Sequence, residues 1–142
     1  MRQAALCVFR RGDAFLVAEI RDPHTGIVLH RPPGGGVEDG ESPEQAVRRE
    51  LQEELDITLT DIRALGVINH VWHWNGRAVA ERAWMFLARP SDDARLNRGE
   101  TPELIEATGE RVRTLWRPIQ DPGETMPPLC PPKLSEFLES LR

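Results

Sequence analysis

The stretch from Pro32 to Ile57 constrains the fold of this chain more than any other, because consecutive glycines run into a helix start whose signals all agree. Ser42 is a good N-cap, Pro43 suits the first helical position, and Gln45 completes an S-x-x-Q capping box. The spacing predicts a helix over Pro43 to Leu55. The glycines before it, Gly34 to Gly36, are expected to break regular structure. They also let backbone approach an ion or a phosphate closely, on a path into a helix N-terminus whose free N–H groups favour anions. A glycine triplet by itself equally describes a plain turn.

At about 100° per residue, Glu50, Glu53 and Glu54 fall within an arc of roughly 100° on one face of that helix. Val47, Leu51 and Leu55 fill the adjoining arc, so the helix buries one side and brings a carboxylate edge against the rest of the fold. Glu50 and Glu54 repel at i,i+4 by a few tenths of a kcal/mol when exposed, and by more when partly buried. A solvated face is the plainer reading, with Arg48 and Arg49 nearby and Arg49 able to pair with Glu53. The sharper reading is a hard divalent cation, which takes oxygen ligands and, as Mg²⁺, bridges to substrate phosphates.

The rest of the chain alternates strand and turn. Gln3 to Phe9 and Ala14 to Ile20 read as a hairpin around the turn Arg10 to Asp13, followed by a DPHTG loop and a short strand from Ile27 to His30. Ile62 to Trp74 and Ala78 to Ala88 flank Asn75-Gly76, a strong hairpin signal because both turn positions take positive φ. Arg111 to Arg117 reads as a further strand. Leu134, Phe137, Leu138 and Leu141 repeat at i, i+3, i+4 and i+7, which predicts a short amphipathic C-terminal helix packed on the sheet. Prolines crowd Pro118 to Pro132, so an extended, irregular wrap is expected there. This order implies a mixed α/β sandwich.

The chain has 142 residues, 39% of them hydrophobic and 29% charged, which fits one domain over residues 1–142 with a single core. Its apolar runs are only strand-length, and AALCVF near the N-terminus is too short for a signal peptide, so no membrane partner and a cytoplasmic location are expected. Cys7 and Cys130 lie far apart without metal-ligand spacing and are expected to be free thiols. A net charge of −5 disfavours extended nucleic-acid binding unless a basic stripe overrides it, and none is visible.

Gly35, Glu41, the run Arg49-Glu50-Leu51, Glu53-Glu54 and Ile57 stand at the spacing G-x5-E-x7-R-E-U-x-E-E-x-G-U, with U aliphatic. This pattern resembles the box of the Nudix family. The departure is Asp56, which replaces the final glycine; that position lies just past the helix in the left-handed region, which Asp tolerates better than most residues. The resemblance implies an α/β/α sandwich with a mixed β-sheet between helices. It also implies hydrolysis of the pyrophosphate bond of a nucleoside diphosphate linked to another group X, with Mg²⁺ or Mn²⁺. Glu50, Glu53 and Glu54 would be metal ligands, joined by the Gly34 carbonyl, and Glu50 is alternatively the general base. Arg49 would orient Glu50 or Glu53, and Glu41 would hold Arg49 or the loop. A further glutamate from a late loop is expected, with Glu110 the first candidate and Glu103 and Glu106 as fallbacks.

On the substrate side, Trp72 and Trp74 share a strand face and, with Trp84, are candidates to stack a nucleobase, although core packing explains any single tryptophan. His70 and His73 are weak evidence. Arg31 is placed to reach a phosphate or simply to face solvent. The expected partner is a small-molecule nucleotide; a homodimer is compatible with the sequence without being specified by it. A nucleotide-sensing binding module without turnover is the alternative, but the kept box glutamates disfavour it. An isomerase has no motif in its support.

Overall fold

A computed structural model describes residues 1–92, 94–120 and 125–141. Along the chain run β1 (Arg2–Val8), β2 (Arg10–Arg11), β3 (Ala14–Arg21), β4 (Val28–Arg31), β5 (Gly34–Gly36), α1 (Pro43–Leu55), β6 (Leu59–Trp74) and β7 (Arg77–Pro90). A 3-10 turn (Arg95–Arg98), β8 (Leu104–Ile105), β9 (Arg111–Val112), β10 (Thr114–Pro118) and α2 (Leu134–Glu139) complete it.

The central sheet has the order β5-β1-β7-β6. It is mixed: β1 and β7 are parallel, the other pairs antiparallel. β1 lies inside it because its run Ala4 to Val8 is buried throughout, and a continuous apolar strand needs cover on both faces. On one face Val47, Leu51 and Leu55 of α1 pack with Ala5, Cys7, Phe86 and Ala88. On the other, Leu134 and Leu138 of α2 pack with Leu6, Val8, Ala83 and Met85. The expected α/β/α sandwich is therefore present. Burying each Leu or Val of these layers contributes roughly 1.5–3 kcal/mol.

Several details differ from the sequence reading. β1 and β3 do not form one hairpin. Only the tip pairs, Arg10 with Phe15 and Arg11 with Ala14, after which β1 joins the central sheet. β3 instead anchors a second sheet, flanked by β10 on one edge and by β2 and β4 on the other. The segment Arg111 to Arg117 is split at Arg113, β9 pairing with β8 and β10 with β3. In the C-terminal helix Leu134 and Leu138 are buried, but Leu141 lies beyond the helix and is exposed.

The glycines also differ: they form β5, antiparallel to β1, instead of breaking the chain. A Cβ on Gly34, at φ +140°, would stand 2.1 Å from the Ala5 carbonyl oxygen. Glycine is thus required by the close approach of two backbones. The Asn75-Gly76 turn has φ of 52° and 77° and joins Trp74 to Arg77 in register, as its sequence predicts.

Part of the proline-rich segment, 121–124, lies outside the described residues. Beyond it the chain returns to β4. The His30 N–H donates to the Pro128 carbonyl and the Cys130 N–H to the His30 carbonyl, both at 2.9 Å. Cys7 and Cys130 are buried free thiols. Among the described residues no helix is long and apolar enough to cross a membrane.

Candidate active site

The helix that carries the carboxylates is fixed at both ends. The Gln45 N–H donates to Ser42 Oγ at 3.1 Å, and the Ser42 N–H donates to Gln45 Oε1 at 2.8 Å. Asp56 adopts the left-handed conformation, φ 53° and ψ 43°, and its N–H reaches the Gln52 and Leu51 carbonyls. Its side chain accepts a further bond from Gln52 Nε2 at 2.7 Å. The aspartate therefore caps the helix where the family pattern has glycine.

Arg49 joins this helix to the loop before it. Its Nε and Nη2 donate to the two Glu41 oxygens at 2.8 and 2.9 Å, and Nη2 also donates to the Gly36 carbonyl at 2.9 Å. Nη1 donates to Glu50 Oε1 at 3.0 Å and to Glu53 Oε2 at 3.2 Å. The paired bonds from Arg49 lower the Glu41 carboxyl to about 2. Arg49 in turn is held firmly protonated, chiefly by Glu41.

Two carboxylates lie against the glycine strand. A Cβ on Gly35 would fall 2.6 Å from Glu50 Cδ, so the absent side chain makes the room that carboxylate occupies. Glu54 Oε1 accepts the Gly34 N–H at 3.2 Å. Burial raises the Glu50 carboxyl above its ordinary value, against the pull of Arg49. Glu54 is pushed up to about 8, first by burial and then by the Glu50 charge. Glu53 differs, its side chain 59% exposed and turned to Arg49.

This edge is short of positive charge, and its hard oxygen donors suit Mg²⁺ or Mn²⁺. Glu50, Glu54 and the glycine strand fit such an ion. Among the described residues no three His, Cys, Asp or Glu side chains already converge on one point, and Glu53 and Glu50 share the Arg49 Nη1 donor.

A cleft of about 210 Å³ opens from Glu54 and the glycines to Arg2, Arg31, Trp72 and Trp74. A larger cavity, about 910 Å³, lies between β10 and α2, but it contains none of the box carboxylates, whereas the smaller cleft reaches Glu54. Trp72 and Trp74 stand with ring centroids 5.3 Å apart, and the Arg31 guanidinium lies 4.8 Å from the Trp72 ring centroid. Trp84 is not brought into this cleft. It packs on the α1 side of the sheet, with its indole N–H donating to Gln3 Oε1 at 2.7 Å.

Of the late-loop glutamates, Glu106 lines the cleft with Glu54, and its carboxyl is raised by burial and then by the Glu110 charge. Glu103 and Glu110 are exposed. The Glu110 carbonyl accepts the Glu106 N–H at 2.8 Å, which closes the intervening turn.

Sequence reasoning missed Arg2 and Glu81. Glu81 is fully buried and meets Arg2 Nε at 3.1 Å, Arg31 Nη2 at 2.9 Å and His70 Nε2 at 3.0 Å. The only local signal was an acid at a position of β7 that faces the same side as Ala83 and Met85; the parallel register sets Arg2 beside it.

Comparison with known proteins bears on the family and the fold. A NUDIX domain family model matches residues 1–140. The chain is similar to the RNA pyrophosphohydrolase of Photobacterium profundum, 35% identical over 103 residues, covering 62% of this chain and 57% of that protein. It is likewise 33% identical over 103 residues to the RNA pyrophosphohydrolase of Vibrio cholerae, covering 62% and 58%. It thus spans less than two thirds of these relatives. The crystal structure of a MutT NUDIX hydrolase from Burkholderia pseudomallei superposes with a TM-score of 0.67 at 26% identity, covering 99% of this chain and 98% of that one. The solution structure of the E. coli ORF135 protein shares the fold, with a TM-score of 0.59 at 24% identity and coverage of 100% and 91%.

Proposed function

Because this chain belongs to the NUDIX family, we propose that it hydrolyses the pyrophosphate bond of a nucleoside diphosphate linked to a further group, X, with Mg²⁺ or Mn²⁺, as a single domain over residues 1–142. One observation carries the reading. The acidic edge of α1, tied to the glycine strand through Arg49, stands at one end of a cleft whose other end is aromatic and cationic.

Glu50, Glu53 and Glu54 would hold the ion, with Gly34 contributing from the strand. When bound, the ion neutralises phosphate charge, acidifies water and stabilises the leaving phosphate. The chain's own residues set the geometry. Arg49 restrains Glu50 and Glu53, and Glu41 restrains Arg49. Glu54 carries a proton over much of the neutral range while no cation faces it, and the same burial gives it a strong attraction for one. Glu106 is the late-loop glutamate that the cleft favours over Glu110. Trp72 and Trp74 offer aromatic faces to a nucleobase, and Arg31 supports Trp72 from its ring face.

The relatives' names extend the candidate substrates to RNA, although a chain of net charge −5 offers a long nucleic acid little general attraction. The two buried free thiols accord with a reducing, cytoplasmic setting. The test is a panel of nucleoside triphosphates, nucleotide sugars, ADP-ribose, dinucleoside polyphosphates and 5′-triphosphorylated RNA with Mg²⁺ and Mn²⁺, compared by kcat/KM. Release of phosphate, pyrophosphate or a mononucleotide is expected. Tight nucleotide binding without any such release would replace this reading with that of a sensor.

A further inference from the structure

Arg2 and Arg31 both line the cleft, yet the structure treats them differently. Arg31 is 8% exposed. Its Nη1 donates to Cys130 Sγ at 3.2 Å, its Nη2 donates to Glu81 at 3.0 Å, and one face lies over Trp72. That guanidinium is committed to the wall. Arg2 has a side chain 49% exposed and places only Nε on Glu81. Its terminal nitrogens carry no hydrogen bond among the described residues. One of them, Nη2, lies 3.6 Å from where a Cβ on Gly36 would stand, beside the glycine strand.

The charges explain why this arrangement suits an anion. Glu81 supplies one negative charge to two guanidiniums, and His70 faces the same carboxylate. At least one positive charge is therefore left over at this end of the cleft, in a protein of net charge −5. The excess charge sits on the half-exposed guanidinium of Arg2, which an incoming anion can reach. A guanidinium whose Nε is already fixed presents its Nη donors in a set plane, a geometry that matches phosphate oxygens.

We propose that Arg2 is the phosphate-anchoring residue of the cleft, positioned by Glu81, and that it selects substrates carrying a further phosphate beyond those at the acidic edge. This favours the nucleoside 5′-triphosphate class over nucleotides joined to a neutral sugar. It rests on the hydrolase reading for the identity of the cleft, but it is testable by binding alone.

The experiment uses the full chain as wild type, Arg2→Ala and Arg2→Lys, with melting temperatures to establish that each is folded. Calorimetry measures the affinity for an adenosine triphosphate analogue whose bridging oxygens are methylene groups, and for adenosine. Arg2→Ala is expected to weaken analogue binding by about tenfold or more, Arg2→Lys to restore part of it, and adenosine binding to stay unchanged. With hydrolysable substrates, Arg2→Ala should lower kcat/KM for triphosphates more than for nucleotide sugars. Analogue affinity within twofold of wild type in Arg2→Ala, or no analogue binding by the wild type, overturns the assignment. Binding that depends on Arg2 in a protein without turnover would instead overturn the hydrolase reading and leave the anchor standing.

Discussion

Arg49 grips both oxygens of Glu41, at 2.8 and 2.9 Å, and with the same guanidinium reaches Glu50. The loop acid thus steers a helix acid through an intermediary. Glu41→Gln removes the charge from the paired bonds and should lower turnover roughly tenfold while leaving helix content intact. Circular dichroism beside steady-state kinetics checks this; wild-type kcat would show that Arg49 needs no such hold.

Glu53 is the exposed member of the acidic trio and contributes little to packing. Replacement by Gln should leave folding intact and remove at least about 4 kcal/mol of transition-state stabilisation, near 10³ in rate. Full Mg²⁺-dependent turnover by the variant would remove Glu53 from the metal site.

Glu54 titrates near 8 in the folded chain against an ordinary value of 4.5. A raised folded value stabilises the fold below the unfolded pKa, and that contribution is lost as pH rises through the folded one. The metal-free protein should therefore lose stability between about pH 4.5 and pH 8, by a few kcal/mol at most. Glu54→Gln should flatten that slope. The lowered Glu41 acts in the opposite sense, but below this window, where acid removes its contribution. Because a divalent ion requires the carboxylate, Mg²⁺ should raise the melting temperature more at pH 8 than at pH 6. Equal metal-induced shifts at the two pH values would contradict the assignment.

Gly34 and Gly35 should respond differently to a methyl group. At Gly34 the new Cβ meets the Ala5 backbone at 2.1 Å, which cannot yield without parting β5 from β1. Gly34→Ala should cost more than about 3 kcal/mol, or several degrees in melting temperature. At Gly35 the obstacle is the flexible end of Glu50, so Gly35→Ala should melt close to wild type while turnover falls about a hundredfold. A thermal melt paired with a kinetic assay separates the two.

What was legible in the sequence follows the range of the interactions. The helix from Pro43 to Leu55 was readable because Ser42, Pro43 and Gln45 act within one turn, and the long hairpin because Asn75-Gly76 specifies its own backbone. The glycine strand was misread because the reason for its glycines, contact with Ala5, is distant in sequence. The N-terminal hairpin failed in the same way. Its turn residues were read correctly, but burial of Ala4 to Val8 on both faces drew β1 into another sheet. The sequence placed three glutamates in the late loop and put Glu110 first, but only the folded path of that loop shows that Glu106 lines the cleft. Arg2 and Glu81 depend on strand register, which no local motif encodes.

The return of the chain at Leu129 and Cys130 onto His30 has a practical bearing. The strand that carries Arg31 into the glycines is braced from below by residues close to the opposite terminus, and Cys130 itself touches Arg31. Shortening the protein ahead of that brace to obtain a tidier crystallisation target would leave the wall of the cleft without its buttress. The positions from Pro128 onward are best regarded as foundations of that wall.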